Sequence, residues 1–252
     1  MKERIQQRLR EVEAEHGFRI LYACESGSRA WGFASEDSDY DIRVLYAWPQ
    51  EEYLKVFEPE AMFDYGVDEE TLDLTGWDIR KALPLFWKAN GSLMEWLFSP
   101  VVYFEDVQVM SEWRSLVPEF FVPKRSAAHY LGLSRKIWGG IENAEAATAK
   151  KYLYVLRALL ASRHIVERSE RIPVLFDELR KAVEISTEVA EAIDSMIAEK
   201  SGGNESDRIE RVQCLDEFIV SEQERLDPLI GELSSEQGSV ETLNQFFRKV
   251  IE

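Results

Sequence analysis

Asp39 and Asp41 stand one residue apart in DYDIRVLY, a run that otherwise reads as a β-strand. Alternation along a strand sends both carboxylates to one face, about 6 to 7 Å apart along the chain. Two like charges held that close invite a divalent cation. Carboxylate oxygens are the donors Mg²⁺ prefers, with water and substrate phosphate completing its shell, and Mn²⁺ accepts the same donors. Eleven residues before Asp39, the turn Gly27-Ser28 follows the strand FRILYAC and opens a short helix. Its backbone N–H groups and the Ser28 hydroxyl suit a phosphate, and Arg29 is placed either to touch that phosphate or to pair with Glu25. Glu25 is out of character beside an anion, which it repels unless paired or turned away. The plain alternative is a surface strand with solvated aspartates, because a bare acid-x-acid is common on exposed strands.

The elements that must hold these residues follow from periodicity. A charged helical pattern runs to about Gly17, then come strands at FRILYAC and DYDIRVLYAW and another at about 68–74. Thr75 has the character of an N-cap for a helix through about Lys88, with Trp77, Leu83 and Phe86 as its apolar stripe. Beyond about Asp106 strand signals stop. Helical periods follow at SEWRSLVPEFF, HYLGLSRKIWGGIENA, KKYLYVLRALLASRHIVE, FDELRKAVE, VAEAIDSMIAEK and CLDEFIVSEQERL, with a polar loop expected at SGGNESDR, 201–208.

A chain of 252 residues with 45% hydrophobic side chains buries a real core, which excludes a disordered chain. Its formal charge of −17 argues against indiscriminate nucleic-acid binding. Charge is nonetheless uneven: residues 1–112 hold 11 basic and 23 acidic groups, 122–168 hold 9 and 3, and 181–252 hold 7 and 17, so any anion surface is expected in the middle. Cys24 and Cys214 are too few and too separated for a disulfide framework or thiolate zinc site. No membrane span and no secretion leader are expected, and a cytoplasmic location fits. His16, His129 and His164 lack metal-ligand spacing and read as structural or exposed.

The whole string GSRAWGFASEDSDYDIR resembles the signature of the DNA polymerase β nucleotidyltransferase superfamily. Together with DLTGWDIRKALPLFWKANGSLMEWLFSP it is similar to the RNA repair pathway DNA polymerase β family. The resemblance implies an α+β chain: a polymerase-β-like nucleotidyltransferase domain with a short mixed sheet over 1–110, then an all-helical domain over 111–252, the active site lying between them. It also implies a third metal carboxylate on a neighbouring strand. Asp73 in TLDLT is the candidate, since alternation sets Glu69, Thr71, Asp73 and Thr75 opposite Leu72 and Leu74. Asp78 is the rival, three residues after Thr75 and well placed for a capping-box-like helix start.

The implied activity is transfer of a nucleoside monophosphate from an NTP, ATP foremost, to an acceptor hydroxyl with release of pyrophosphate. Asp39, Asp41 and Asp73 are expected to hold Mg²⁺ or Mn²⁺, with Asp73 nearest the hydroxyl and Gly27 and Ser28 at the β- and γ-phosphates. Related enzymes present a lysine and a tyrosine from a helical domain to the triphosphate, which points to Lys151 and Tyr154, with Arg157 beside them. A solvated helix face with core tyrosines is the competing reading there. Trp31 reads as packing or as a wall of the nucleotide pocket. The acceptor is an RNA end, a protein or a small molecule. The alternative to catalysis is an antitoxin-like or regulatory nucleotide-binding protein acting on a protein partner. Oligomeric state is not readable.

Overall fold

In the computed structural model, which describes residues 1–69, 71–202 and 208–252, a first helix α1 (Lys2–His16) carries Ile5, Leu9 and Val12 at helical spacing. These side chains pack with Ile20, Ala23, Ile42, Val44, Tyr46, Leu72 and Leu74 of a sheet. The sheet contains β1 (Arg19–Glu25), β2 (Tyr40–Ala47), β3 (Met62–Val67), β4 (Leu72–Asp78) and β5 (Val102–Glu105), in the order β3-β4-β2-β1-β5. β2 and β4 pair in parallel, the other neighbours antiparallel. The parallel pair needs a crossover, supplied by α3 (Gln50–Tyr53) and β3. Burying each large apolar side chain contributes roughly 1.5–3 kcal/mol, so a one-residue slip that turned β2 or β4 over is excluded. That fixes Asp41 and Arg43 of β2, and Asp73 and Thr75 of β4, on the face away from α1.

β4 runs later in the chain than its apolar alternation alone indicates. Thr75, expected as a helix cap, is a strand residue paired with Arg43, and the ladder continues to Tyr46 opposite Asp78. Completing those backbone hydrogen bonds outweighs an earlier helix start. Asp78 itself is the N-cap of α4 (Ile79–Trp87), accepting from the Arg80 amide at 2.9 Å. Glu69 and Thr71 precede the strand, Thr71 at φ 63°. β3 and β5 carried no clear strand pattern: β3 is an edge strand with one buried residue of six, and β5 has four residues. α5 (Gly91–Leu97), α6 (Val107–Phe120) and the last helix, α12 (Val240–Ile251), belong with this sheet. Trp77 and Trp96 lie 4.0 Å apart by ring centroid, and Trp113 packs with Phe86 and Phe246.

Two units account for the chain. One is Met1–Ala30, Asp39–Phe121 and Gln237–Glu252, the other Trp31–Ser38 and Val122–Glu236, so no single cut separates them. The second unit is built around α8 (Ala149–Arg168), of whose 20 residues 13 are buried. That makes it a central helix instead of a solvated one. α7 (Pro123–Gly139), α9 (Phe176–Lys181), α10 (Thr187–Gly202) and α11 (Gln213–Ile230) pack on it. A ribbon of β6 (Ala146–Thr148) and β7 (Arg208–Glu210) also lies in this unit; strands of three residues are too short to announce themselves by alternation. Of the loop expected at 201–208, residues 203–207 lie outside the described residues, while Ser201 and Gly202 end α10 and Arg208 begins β7.

Trp31–Ser38 joins the helical unit through its own side chains. Trp31 meets Tyr154 edge-on at 5.0 Å, Phe33 meets Phe176 at 5.4 Å, and the buried Lys200 donates to the hydroxyls of Ser35 and Ser38 at 3.2 Å each. The stretch that connects the Gly-Ser turn to Asp39 is thereby pinned at both ends of its length.

Candidate active site

The parallel register sets Asp41 directly opposite Asp73. Between the two carboxylates stands Arg43, which alternation places on the same face as Asp41. Its Nη2 donates to Asp41 Oδ1 and to Asp73 Oδ2, each at 2.8 Å, while Nη1 donates to the Asp73 carbonyl at 2.9 Å and the Ile42 carbonyl at 3.1 Å. All three side chains are partly buried, at 16% exposure for Arg43, 27% for Asp41 and 21% for Asp73. Burial pushes the Asp41 carboxyl above the usual aspartate range, Arg43 pulls it down, and the neighbouring charges of Asp73 and Asp39 push it up again.

Gly27 closes the edge from the other side. It opens the short helix α2 (Gly27–Trp31) at φ 58°, and a Cβ there would lie 2.0 Å from Asp41 Oδ2. Only glycine lets the backbone come that near the carboxylate. The Ser26 amide donates to the Asp41 carbonyl at 2.8 Å, which ties the turn to β2. Ser28 is buried in α2. Arg29 donates from Nε to the Asp39 carbonyl at 3.1 Å, and its guanidinium lies 3.8 Å from the Tyr40 ring centroid. Asp39 is exposed and sits immediately before β2.

Glu25 is paired and turned inward. At 1% exposure it accepts from the Asp41 amide at 2.7 Å and from the Tyr103 hydroxyl, while the Ser99 hydroxyl donates to its carbonyl at 2.7 Å. Burial pushes its carboxyl up, and the Tyr103 and Asp41 donors hold it down. It braces the start of β2 from behind.

Asp41 and Asp73 stand side by side in the ladder, and Asp39 lies two residues before Asp41, ahead of β2 and near enough for its charge to raise the Asp41 carboxyl. Among the described residues no group of three or more His, Cys, Asp or Glu is gathered as a metal ion would need. The Asp41 and Asp73 oxygens nonetheless suit a cation, for one guanidinium nitrogen already bonds to both. Asp78 belongs to the scaffold. It is 2% exposed, caps α4 and accepts from the Tyr53 hydroxyl, and burial pushes its carboxyl up to about 6.

The residues proposed from the helical region lie in the second unit. Lys151 is exposed in the first turn of α8, its amide bonded to the Thr148 hydroxyl at 3.2 Å. Tyr154 is half-buried. Arg157 is 3% exposed, its guanidinium 4.1 Å from the Trp31 ring centroid, with Nη2 donating to the Val174 carbonyl at 3.3 Å. Arg157, Trp31 and Tyr154 form one packed group. His16 bonds to the Tyr65 hydroxyl at 2.8 Å and stacks on Phe18, a structural place. Both cysteines are free thiols. No helix among the described residues is long and apolar enough to cross a membrane.

Arg43 and Tyr103 escaped the sequence reading for different reasons. Arg43 carried a usable signal, being two residues after Asp41 on the same strand face. Tyr103 carried none, because 78 residues separate it from Glu25.

Comparison with known proteins bears on the whole chain. Residues 1–249 match the model of a family described as the RNA repair pathway DNA polymerase beta family. The uncharacterized protein YcgL of Bacillus subtilis (strain 168) is 34% identical over 253 residues, covering 100% of this chain and 97% of that protein. Among solved structures, a nucleotidyltransferase-like protein from Exiguobacterium sibiricum 255-15 is matched over 98% of this chain and 79% of its own, at 12% identity and a TM-score of 0.33.

Proposed function

The chain belongs to the RNA repair pathway DNA polymerase beta family, and on that premise we propose that it transfers a nucleoside monophosphate from an NTP to an acceptor hydroxyl at the Asp41–Asp73 edge. The observation that carries this reading is the register of β2 on β4, which sets two carboxylates side by side against a glycine turn. In the reaction the acceptor oxygen forms a bond to the α-phosphorus, the α–β phosphoanhydride breaks, and pyrophosphate leaves. The hydroxyl proton goes to a carboxylate oxygen of Asp73 or to water.

Asp39, Asp41 and Asp73 would hold Mg²⁺ or Mn²⁺ here. Such an ion, when bound, lowers the pKa of the hydroxyl and neutralises the leaving pyrophosphate. This chain's own contribution is placement. Glu25 and Tyr103 hold Asp41 from behind, Gly27 brings backbone to the carboxylate, and Gly27 and Ser28 offer the turn for the β- and γ-phosphates. Arg29 is tied to Asp39 and Tyr40, so it orders the approach to β2 as well as adding positive charge. In the helical unit Lys151 is the solvent-facing cation for an anionic ligand, with Tyr154 near it in sequence and Arg157 committed to Trp31. ATP is the first substrate to try and a short RNA end the first acceptor. The net charge of −17 favours a small contact with RNA over a long grip, and it keeps a protein hydroxyl as the second acceptor.

The test is label transfer from α-labelled and γ-labelled ATP, CTP, GTP and UTP into short RNAs and into cell-extract RNA and protein, with Mg²⁺ or Mn²⁺. Incorporation of α-label alone, lost in Asp41→Asn, supports nucleotidyl transfer, and nuclease or protease sensitivity of the product identifies the acceptor. Binding of NTP without transfer under either metal would favour an antitoxin-like or regulatory nucleotide-binding protein.

A further inference from the structure

Four acceptors on two parallel strands converge on one cation, since Arg43 reaches both carboxylates and the carbonyls of Ile42 and Asp73. The charges at this spot do not cancel. Asp41 and Asp73 carry two negative charges against one guanidinium, and Asp39 adds another just before the strand. Arg43 is also largely enclosed, so its bonds to these oxygens are less screened than those of a surface pair. A divalent ion coordinates carboxylate oxygen at about 2.0–2.6 Å. It cannot share Asp41 Oδ1 and Asp73 Oδ2 with a guanidinium nitrogen without strong repulsion.

We propose that Arg43 is a displaceable internal counter-cation. It holds Asp41 and Asp73 together in the metal-free protein and yields their oxygens to a divalent cation, so it sets the metal concentration at which the site loads. On release the guanidinium becomes free for an anionic ligand such as the triphosphate, and planar arginine suits phosphate. This rests on the nucleotidyl-transfer reading of the same edge. The competing role is that of a pillar that orients the carboxylates for metal, and the two roles have opposite signs: removing a competitor tightens metal binding, and removing a pillar weakens it.

Binding of Mn²⁺ alone to the full chain, followed by electron paramagnetic resonance, reads that sign without any turnover. Arg43→Gln, which keeps bulk and polarity but loses charge, is expected to bind Mn²⁺ at least about tenfold more tightly than wild type, about 1.4 kcal/mol. Arg43→Lys is expected to fall between them, because a point charge cannot span both strands. The double variant Asp41→Asn, Asp73→Asn is expected to lose the site. Unchanged or weaker binding in Arg43→Gln, with wild type binding Mn²⁺, overturns the counter-cation role and leaves nucleotidyl transfer standing. No Mn²⁺ binding in either protein overturns the counter-cation role, and α-label transfer alone then decides the nucleotidyl-transfer reading.

A second measurement serves if Arg43→Gln does not fold. In wild type, with Arg43 assigned by difference from Arg43→Lys, adding Mg²⁺ is expected to shift the guanidinium resonances and speed rotation about Cζ–Nη. Guanidinium signals that stay put while Mg²⁺ moves the Asp41 and Asp73 amides overturn the proposal.

Discussion

Asp73 and Asp78 sit five residues apart on the same strand and do opposite things. Asp73, second in β4, points to the open face, opposite Asp41 and bonded to Arg43. Asp78, last in β4, is buried, capping α4 and accepting from Tyr53. The odd spacing puts them on opposite faces of the strand, and alternation accounts for the difference. An aspartate with a cation beside it and access to solvent can trade that cation for another. An aspartate sealed behind a helix N-terminus is bound to its donors and serves the fold. Each end has its tyrosine: Tyr53 at Asp78, and Tyr103 at the Glu25 that braces Asp41.

The sharpest way to break this comparison is to exchange the acids for amides. Asp73→Asn is expected to lower nucleotidyl transfer by about 10³-fold, the several kcal/mol that a metal ligand is worth in the transition state. Its melting temperature is expected to move little. Equal losses of rate per folded molecule in Asp73→Asn and Asp78→Asn would erase the distinction between the two ends.

Acid dependence should separate them next. The Asp78 carboxyl ionises at about 3.8 in an unfolded chain and at about 6 in its buried place. The folded protein therefore holds that proton more tightly, a stabilising contribution complete below about pH 3.8 and lost as pH rises through about 6. Its size is about 3 kcal/mol, from about 1.4 kcal/mol for each pH unit between those values. Urea unfolding of wild type against Asp78→Asn across pH 4 to 7 is expected to show this falling component in wild type alone. Asparagine is as good an N-cap as aspartate, so the cap survives the exchange.

Removing the cap altogether is expected to cost about 2 kcal/mol. Asp78→Ala, measured by urea unfolding at pH 5, leaves the Arg80 amide and the Tyr53 hydroxyl without their acceptor. Rate per folded molecule should be retained. A loss of about 1–2 kcal/mol is expected from Tyr53→Phe, because that hydroxyl donates to Asp78 and accepts from the Trp48 amide at 3.0 Å. Tyr103→Phe should cost a similar amount of stability but also reduce transfer, since Glu25 then holds the Asp41 amide less firmly. A Tyr103→Phe enzyme with wild-type kinetics would sink the bracing role of Glu25.

Much of this molecule was legible in residue order. Alternation along DYDIRVLY placed Asp41 on the open face, although β2 begins at Tyr40 and leaves Asp39 just ahead of it, and TLDLT marked Asp73 over Asp78 as the acid pointing out of the sheet. The helical periods of the second half correspond to α6 through α11 with shifts at their ends. Other features depended on partners far along the chain. Thr75 looks like a cap until the ladder with β2 claims it, and the paired Glu25 looks misplaced until Tyr103 arrives from β5. Arg157 looks like a cation on a helix face, yet burial against Trp31 removes it from solvent.

Sequence by itself determined the local chemistry: which residue types stand at which strand and helix positions, because period and turn residues are properties of neighbours in the chain. Only the tertiary structure decided what each charge meets. That Asp41 faces Asp73, that Arg43 lies between them, and that Asp78 is sealed under α4 all follow from strand register and packing, and those are set by apolar contacts among residues distant in the chain.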